Sequence, residues 1–302
     1  MYLNVISNYL QLLRIRIALF AAFSAASAFL LARPHNLEKI IFVAAGIFLM
    51  ACGASCLNQY QERATDALME RTKNRPLPSG MITPERAAIF SMLFTVAGAA
   101  ILIAEFGFGT AIIGVCASVW YNGVYTYLKR MTAFAAVPGA LTGALPPVVG
   151  WVAAGGNLPD SRLLALCLFF IIWQVPHFWL FLMGYGKQYE DAGLPSVTRI
   201  FRRSQMSRII FHWIAATAVC GLALSLFGLF QSHFISCLLL AASAWLMLQA
   251  VNFLRSNGDC CREAFRMINL YMIVVMLLLI SGSLPAFHGI GKYYAMITRV
   301  FL

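Results

Sequence analysis

Charge is what this sequence has least of. Asp, Glu, Lys and Arg make up 11% of its 302 residues, where an ordinary soluble domain carries about 25%. Acid is scarcer still, with 11 Asp and Glu against 22 Lys and Arg. The short alternating segments of a closed β-barrel are missing, which excludes that way of crossing a bilayer. There is no P-loop, no dinucleotide fingerprint and no nucleophile elbow. Low-complexity stretches and domain breaks are absent too, so residues 1–302 read as a single intramembrane domain. The opening MYLNVISNYLQL lacks the basic start of a signal peptide, and no cleavable signal is expected.

What the chain has instead is apolar length, 61% of its residues being hydrophobic. Nine runs approach the roughly 20 residues that cross a bilayer as a helix: about 14–32, 39–57, 87–104, 107–125, 134–154, 163–183, 209–230, 234–253 and 267–286. The expected fold is therefore all-α, a polytopic membrane protein of about nine transmembrane helices. Nine spans put the N-terminus and the loops at 58–86, 125–133, 184–208 and 254–266 on one side. That side holds 17 of the 22 Lys and Arg; Arg33, Lys39, Arg162, Lys292 and Arg299 fall on the other. The rich side is assigned to the cytoplasm, placing the chain in a cell inner membrane with its N-terminus inside. Anionic lipid headgroups and anionic substrates are sufficient partners for this basicity, and no nucleic acid is required.

Eight Cys give no framework. Cys52, Cys56, Cys116, Cys167, Cys220 and Cys237 lie in apolar runs as small hydrophobes, and Cys260 and Cys261 read as reduced thiols in a cytoplasmic loop. His35 and His288 are expected on the outer side, and His212 and His233 near span ends, none with a metal-ligand partner at useful spacing.

Chemistry concentrates in three of the four loops. In NQYQERATDALMERTKNRPLPSG (58–80), Asn58, Glu62 and Asp66 recur every four residues. In a helix they drift by only about 80° in total and form one stripe. Two carboxylates and an amide can hold a hard divalent cation such as Mg²⁺, which takes one or two carboxylates plus substrate phosphates. Arg71, Lys73 and Arg75 follow and can grip the rest of a polyphosphate. Pro76, Pro78 and Gly80 are expected to end the helical part and turn the chain back. In YNGVYTYLKR (121–130), Tyr125 and Lys129 share a face and can bind a diphosphate or steady a departing one, with Arg130 beside them; an interfacial aromatic-basic anchor is the plainer alternative. In WQVPHFWLFLMGYGKQYEDAGLPS (173–196), Trp173, Gln174 and His177 interrupt an apolar run. An ionisable group there marks a functional site, or else a histidine satisfied by hydrogen bonds between helices. Glu190 and Asp191 offer acid further on.

Together these segments resemble the intramembrane prenyltransferase superfamily related to UbiA, and within it the protoheme IX farnesyltransferases. The carrying parts are NQYQERATDALMERTKNRPL, YTYLKRMT, GALTGALPPVVGW and WQVPHF with YEDAGLP. The resemblance implies transfer of a farnesyl group from farnesyl diphosphate to a vinyl of heme b, with Mg²⁺ as cofactor. It implies cytoplasmic active-site loops in which Asn58, Glu62, Asp66 and Asp191 hold metal. Asn58, Glu62, Asp66, Tyr125, Lys129 and His177 are then the catalytic set, and Arg71, Lys73, Arg75, Lys129 and Arg130 the diphosphate clamp. Trp173, Gln174 and His177 would meet heme, His177 binding iron, binding a propionate or orienting water. Association with heme A synthase or terminal oxidase assembly is a further implied partnership. Competing expectations are prenylation of an aromatic or quinone precursor and a non-catalytic heme-binding assembly protein; a transporter would show repeated halves, which are not found. Two departures stand out. Glu62 stands where the family usually has Asp, and Lys187-Gln188-Tyr189 replaces Glu-Asp-Tyr, leaving Glu190 and Asp191 as displaced acids.

Overall fold

The computed structural model describes residues 2–33, 37–230 and 232–283, and among them there is no strand. His35, His288, Lys292 and Arg299 fall outside the described residues. The chain opens with α1 (Tyr2–Leu13), α2 (Ile15–Ala32), α3 (Ile40–Ala67) and α4 (Pro84–Phe106). Then come α5 (Phe108–Val119), a π-helical turn (Trp120–Tyr125) and α6 (Thr126–Met131). The remainder is α7 (Ala136–Gly139), α8 (Leu141–Ala153), α9 (Ser161–Asp191), α10 (Val197–Ile200), α11 (Arg203–Leu226), α12 (His233–Arg255) and α13 (Cys261–Ser283).

Eight described spans are long and apolar enough to cross a membrane, against the nine expected. The difference is 107–125. Its helical path is divided by the π turn, so no single element there reaches spanning length. The path nevertheless runs on to Met131. It starts beside the end of α4, where Glu105 pairs with Lys39, and finishes where Lys129 pairs with Glu62. It therefore traverses the bundle. Large apolar side chains point outward on α4 (Ile89, Met92, Leu93, Val96) and on α12 (Leu240, Leu248). In water such a surface would aggregate; in hydrocarbon it is the solvated face.

Buried side chains form two main clusters. One joins α9, α11, α12 and α13 around Phe169, Trp173, Ile210, Leu246, Tyr271 and Val275. The other joins α2, α3, α4, α5 and α8 around Phe29, Ile47, Met50, Leu102 and Val149. Lipid offers no hydrophobic drive between helices, so close backbone approach matters, and small residues permit it. A Cβ at Gly98 would lie 2.5 Å from the Gly46 carbonyl oxygen, and one at Gly150 would lie 1.9 Å from that of Ala25. These glycines set the α3–α4 and α2–α8 contacts.

Two boundaries differ from the sequence reading. Helix α3 stops at Ala67, nine residues before Pro76, because the Thr72 hydroxyl and the Met69 amide both donate to the Asp66 carbonyl. Helix α9 continues through Pro176, Gly184 and Gly186 to Asp191, where a loop was expected from 184.

Replacing Gly98 by Leu should wedge α3 from α4 and cost about 1–3 kcal/mol of stability. Thermal unfolding in detergent should show the loss, whereas Val96→Leu on the lipid face should leave the midpoint unchanged.

Candidate active site

The stripe on α3 forms, and each of its members meets a different partner. Asn58 is fully buried. Its Nδ2 donates to Thr126 Oγ1 at 3.0 Å, and its Oδ1 accepts from Arg14 Nη1 at 3.1 Å. Glu62 pairs with Lys129 across to α6. Asp66, 4% exposed, accepts from Arg75 Nη1 at 2.6 Å. The four-residue spacing thus lays three oxygen donors along one helix face, where the bundle's apolar body ends.

Arg14 was not recognised as a site residue in the sequence, where it reads as the edge of the first span. Its placement rests on a backbone break. Between α1 and α2 it takes φ 48° and ψ 51°, a left-handed conformation that costs a non-glycine residue of order 1 kcal/mol. Gln59, on the opposite side of the break, holds it. Gln59 Nε2 donates to the Leu12 carbonyl at 2.6 Å and to the Gln11 carbonyl at 3.2 Å, satisfying groups that the end of α1 leaves open. Arg14 then reaches Asn58 and, at 3.5 Å, the Tyr121 hydroxyl.

The π turn does comparable work. Such turns insert a residue into the helical ladder and are frequent at functional sites. Thr126 donates its hydroxyl to the Tyr121 carbonyl at 2.9 Å, which leaves the Thr126 oxygen free to accept from Asn58. Tyr125 is turned inward, its ring stacked on Phe178 at 5.6 Å with the Lys129 ammonium 4.9 Å from the ring centre. A Cβ at position 139 would lie 2.4 Å from that ring, so Gly139 makes its space.

Arg71 approaches from the loop after α3. Its backbone N–H donates to Gln188 Oε1 at 3.1 Å, and its guanidinium lies over Phe181 and Tyr185 at 4.9 and 5.4 Å. Gln188 therefore stands at the site, at the position where the related pattern carries acid. Of the displaced acids, Glu190 accepts from Thr198 Oγ1 at 2.8 Å, and Asp191 is exposed with no ion pair among the described residues. Lys73 is also placed elsewhere, bound to exposed Glu70 at 2.7 Å, and Arg130 donates to the Gln61 carbonyl at 2.6 Å. Trp173 spends its indole N–H on the Ile268 carbonyl, and Gln174 Nε2 donates to Thr142. His177 lies against Trp173, Phe178 and Phe265.

The electrostatics favour an anion. Two carboxylates, Glu62 and Asp66, are gathered with Arg14, Lys129, Arg75 and Arg71. Burial would lower the Lys129 pKa, but the Glu62 carboxylate together with Tyr125 and Tyr121 holds the ammonium above its ordinary value. Burial, and then Arg14, pull the Arg75 guanidinium below its usual value against the opposing effect of Asp66. Glu62 and Asp66 thus lie beside a surplus of positive charge, the condition for taking up a multivalent anion. No three His, Cys, Asp or Glu residues cluster among the described residues. The donor set that exists is one amide and two carboxylates, all oxygen, which suits a single hard cation completed by a ligand's own oxygens.

An α-helical membrane bundle with an oxygen-donor stripe set among cations at one end defines the class. The model of the UbiA prenyltransferase family matches residues 18–296, and the chain belongs to that family. A protoheme IX farnesyltransferase of Oleidesulfovibrio alaskensis is 36% identical over 91% of this chain and 95% of its own length. One from Geobacter sulfurreducens is 41% identical over 73% of this chain and 81% of its own. Among solved structures, a UbiA homologue from Aeropyrum pernix superposes with a TM-score of 0.73 at 16% identity, over 88% of this chain and 98% of that one. A UbiA homologue from Archaeoglobus fulgidus bound to GPP and Mg²⁺ gives 0.64 at 17% identity, over 91% and 99%. The likeness to these structures is one of fold.

The Glu62–Lys129 contact should be energetically coupled. A double-mutant cycle with Glu62→Gln and Lys129→Met, followed by unfolding in detergent, should return an interaction on the order of 0.5–3 kcal/mol. Strictly additive losses would show that the pair does not join α3 to α6.

Proposed function

We propose that this chain is a protoheme IX farnesyltransferase, moving a farnesyl group from farnesyl diphosphate to a vinyl of heme b at the cytoplasmic face of an inner membrane. The observation that carries the reading is the Asn58–Glu62–Asp66 stripe among Arg14, Arg71, Arg75 and Lys129, at the end of an apolar bundle in a chain of this family. Long, close relatives bearing that name support the choice of acceptor.

The substrate's two ends match the two parts of the molecule. A farnesyl tail is apolar and can lie among helices that already face lipid. The diphosphate is polyanionic and meets Arg14, Arg71, Arg75 and Lys129, whose guanidinium and ammonium groups donate to its oxygens. Asn58, Glu62 and Asp66 would hold Mg²⁺, which when bound neutralises the diphosphate as charge develops on the leaving oxygen. The protein's own contribution is to fix the donors before reaction, so that little reorganisation is needed. Thr126 orients Asn58, and Gln59 fixes the break that delivers Arg14. Departure of diphosphate leaves an allylic cation, which apolar walls keep from water and the faces of Tyr125 and Phe178 can stabilise. Its C1 would then bond to the terminal vinyl carbon through the vinyl π pair, and water would add to the cation left beside the porphyrin ring, losing a proton to solvent, to give a hydroxyethylfarnesyl side chain. A next heme-modifying enzyme such as heme A synthase, or the assembling terminal oxidase, is the partner to which such a product would pass.

Gln188 motivates a second reading, a heme-binding assembly protein without transfer activity, because the acid of the second motif is gone. A transfer assay with purified protein, heme b, farnesyl diphosphate and Mg²⁺ decides between the two: farnesylated heme supports the enzyme, and bound but unmodified heme supports the assembly protein. Within the enzyme reading, Asp66→Ala should lower turnover by about 100-fold or more, the size of a lost electrostatic stabiliser, while the protein stays folded. Activity that is unchanged across a Mg²⁺ titration would place the metal elsewhere. Orientation is checked separately, with reporter fusions at residues 80 and 156 expected on the cytoplasmic and outer sides respectively.

A further inference from the structure

His177 makes one hydrogen bond, and its partner decides which ring nitrogen remains available. His177 Nδ1 lies 2.8 Å from Asn269 Oδ1, joining α9 to α13. The Asn269 amide is itself oriented, because its Nδ2 donates to the Phe265 carbonyl at 2.6 Å. Reversing that amide would set two acceptor oxygens against each other. Asn269 therefore presents an acceptor, Nδ1 must carry the proton, and in the neutral ring Nε2 keeps its lone pair. Nε2 has no hydrogen-bond partner among the described residues, nor does it belong to the buried polar atoms sealed off without one. The ring is also held in place. It packs on Trp173 at 4.9 Å and on Phe265 at 4.8 Å, and Trp173 is anchored to the Ile268 carbonyl at 2.9 Å.

A fixed imidazole whose second nitrogen donates to a backbone-anchored acceptor is how proteins prepare histidine as a metal ligand. We infer that Asn269 is a positioning residue which locks His177 with Nε2 as the donor atom for the iron of the porphyrin substrate. This rests on the farnesyl-transfer reading and deepens it. A propionate is the wrong ligand for Nε2, since a neutral ring offers it a lone pair and no proton. Iron is a Lewis acid that takes the pair. The location is consistent: Phe178 stacks on Tyr125, and Phe181, one turn beyond His177, supports Arg71. A porphyrin held here would lie beside the diphosphate residues.

The test is a titration of the full-length purified protein with ferric heme, without prenyl diphosphate, read by visible absorption and resonance Raman scattering. A parallel titration uses iron-free protoporphyrin IX. The wild type should give a nitrogen-ligated heme spectrum. His177→Ala should lose it and weaken heme binding about ten-fold or more, while iron-free porphyrin binding changes by less than about two-fold. Imidazole added to His177→Gly should restore the ligated spectrum. Asn269→Leu should broaden or weaken ligation, and Asn269→Asp, which keeps an acceptor for Nδ1–H, should retain it; this pair carries the test if the histidine variants fail to fold. An unchanged heme spectrum in His177→Ala, or an equal loss of iron-free porphyrin, would overturn the ligation and leave the transferase reading standing. A wild type that takes up no heme would overturn both.

Discussion

The Glu62–Lys129 ion pair is the contact on which the polar end of this molecule depends. It ties α3 to α6, and so ties the metal-type stripe to the chain that emerges from the π turn. Without it, two partly buried charges would lack their compensation, and that is costly wherever water is thin. The pair is one link in a chain of matched groups. Asp66 is matched by Arg75, Asn58 by Arg14 and Thr126, and the end of α1 by Gln59. Acid is so scarce in the sequence that each carboxylate here has a specific cation, and cations remain over. That surplus is what an incoming diphosphate would neutralise.

Lipid explains why these groups sit together. A hydrocarbon solvent forces every backbone donor into helices and gives no reward for burying leucine against leucine. Packing is left to glycine contacts such as Gly46–Gly98, and polar residues are left to the ends. The polar ends of the helices then lie together at one end of the bundle. Bonds from Arg71 to Gln188 and from Arg203 to the Gly258 carbonyl show three of the basic loops meeting there, and Lys129 brings the fourth to Glu62.

This is also why so much could be read from the sequence. Apolar run length fixes the spans, and a four-residue polar period survives as a stripe because α3 is a continuous α-helix through Asp66. What could not be read depends on backbone that departs from the α-helix. Arg14 matters because of a left-handed break, and neither the break nor its hold by Gln59 has a periodic signature. The π turn at Trp120–Tyr125 splits a span that apolarity alone reads as whole. The end of α9 differs in the other direction: the apolar run ends at 183, yet the helix continues through Gly184 and Gly186 to Asp191. Asn269 was missed because it is a single amide in an apolar span, and its importance is visible only once α13 is packed on α9.

The continuity of α9 bears on the altered second motif. Because the helix does not unwind before Asp191, residues 188 and 191 are fixed about one turn apart along its axis and about 60° apart around it, and no loop is present to swing one into the place of the other. Gln188 faces the loop carrying Arg71, while Asp191 faces solvent and Glu190 is occupied by Thr198. The face of α9 that meets the loop thus supplies an amide oxygen to a backbone N–H in place of a carboxylate. An amide orders that loop without adding negative charge. The same face carries His177, Phe181 and Tyr185 below Gln188, so the helix that lost an acid still holds Arg71 on two aromatic rings and a prepared imidazole beneath them. With an amide rather than a carboxylate at Gln188, this face leaves the surplus of positive charge around Glu62 and Asp66 undiminished. Tighter holding of the anion by arginine, with a single cation on α3, is the arrangement these residues can support.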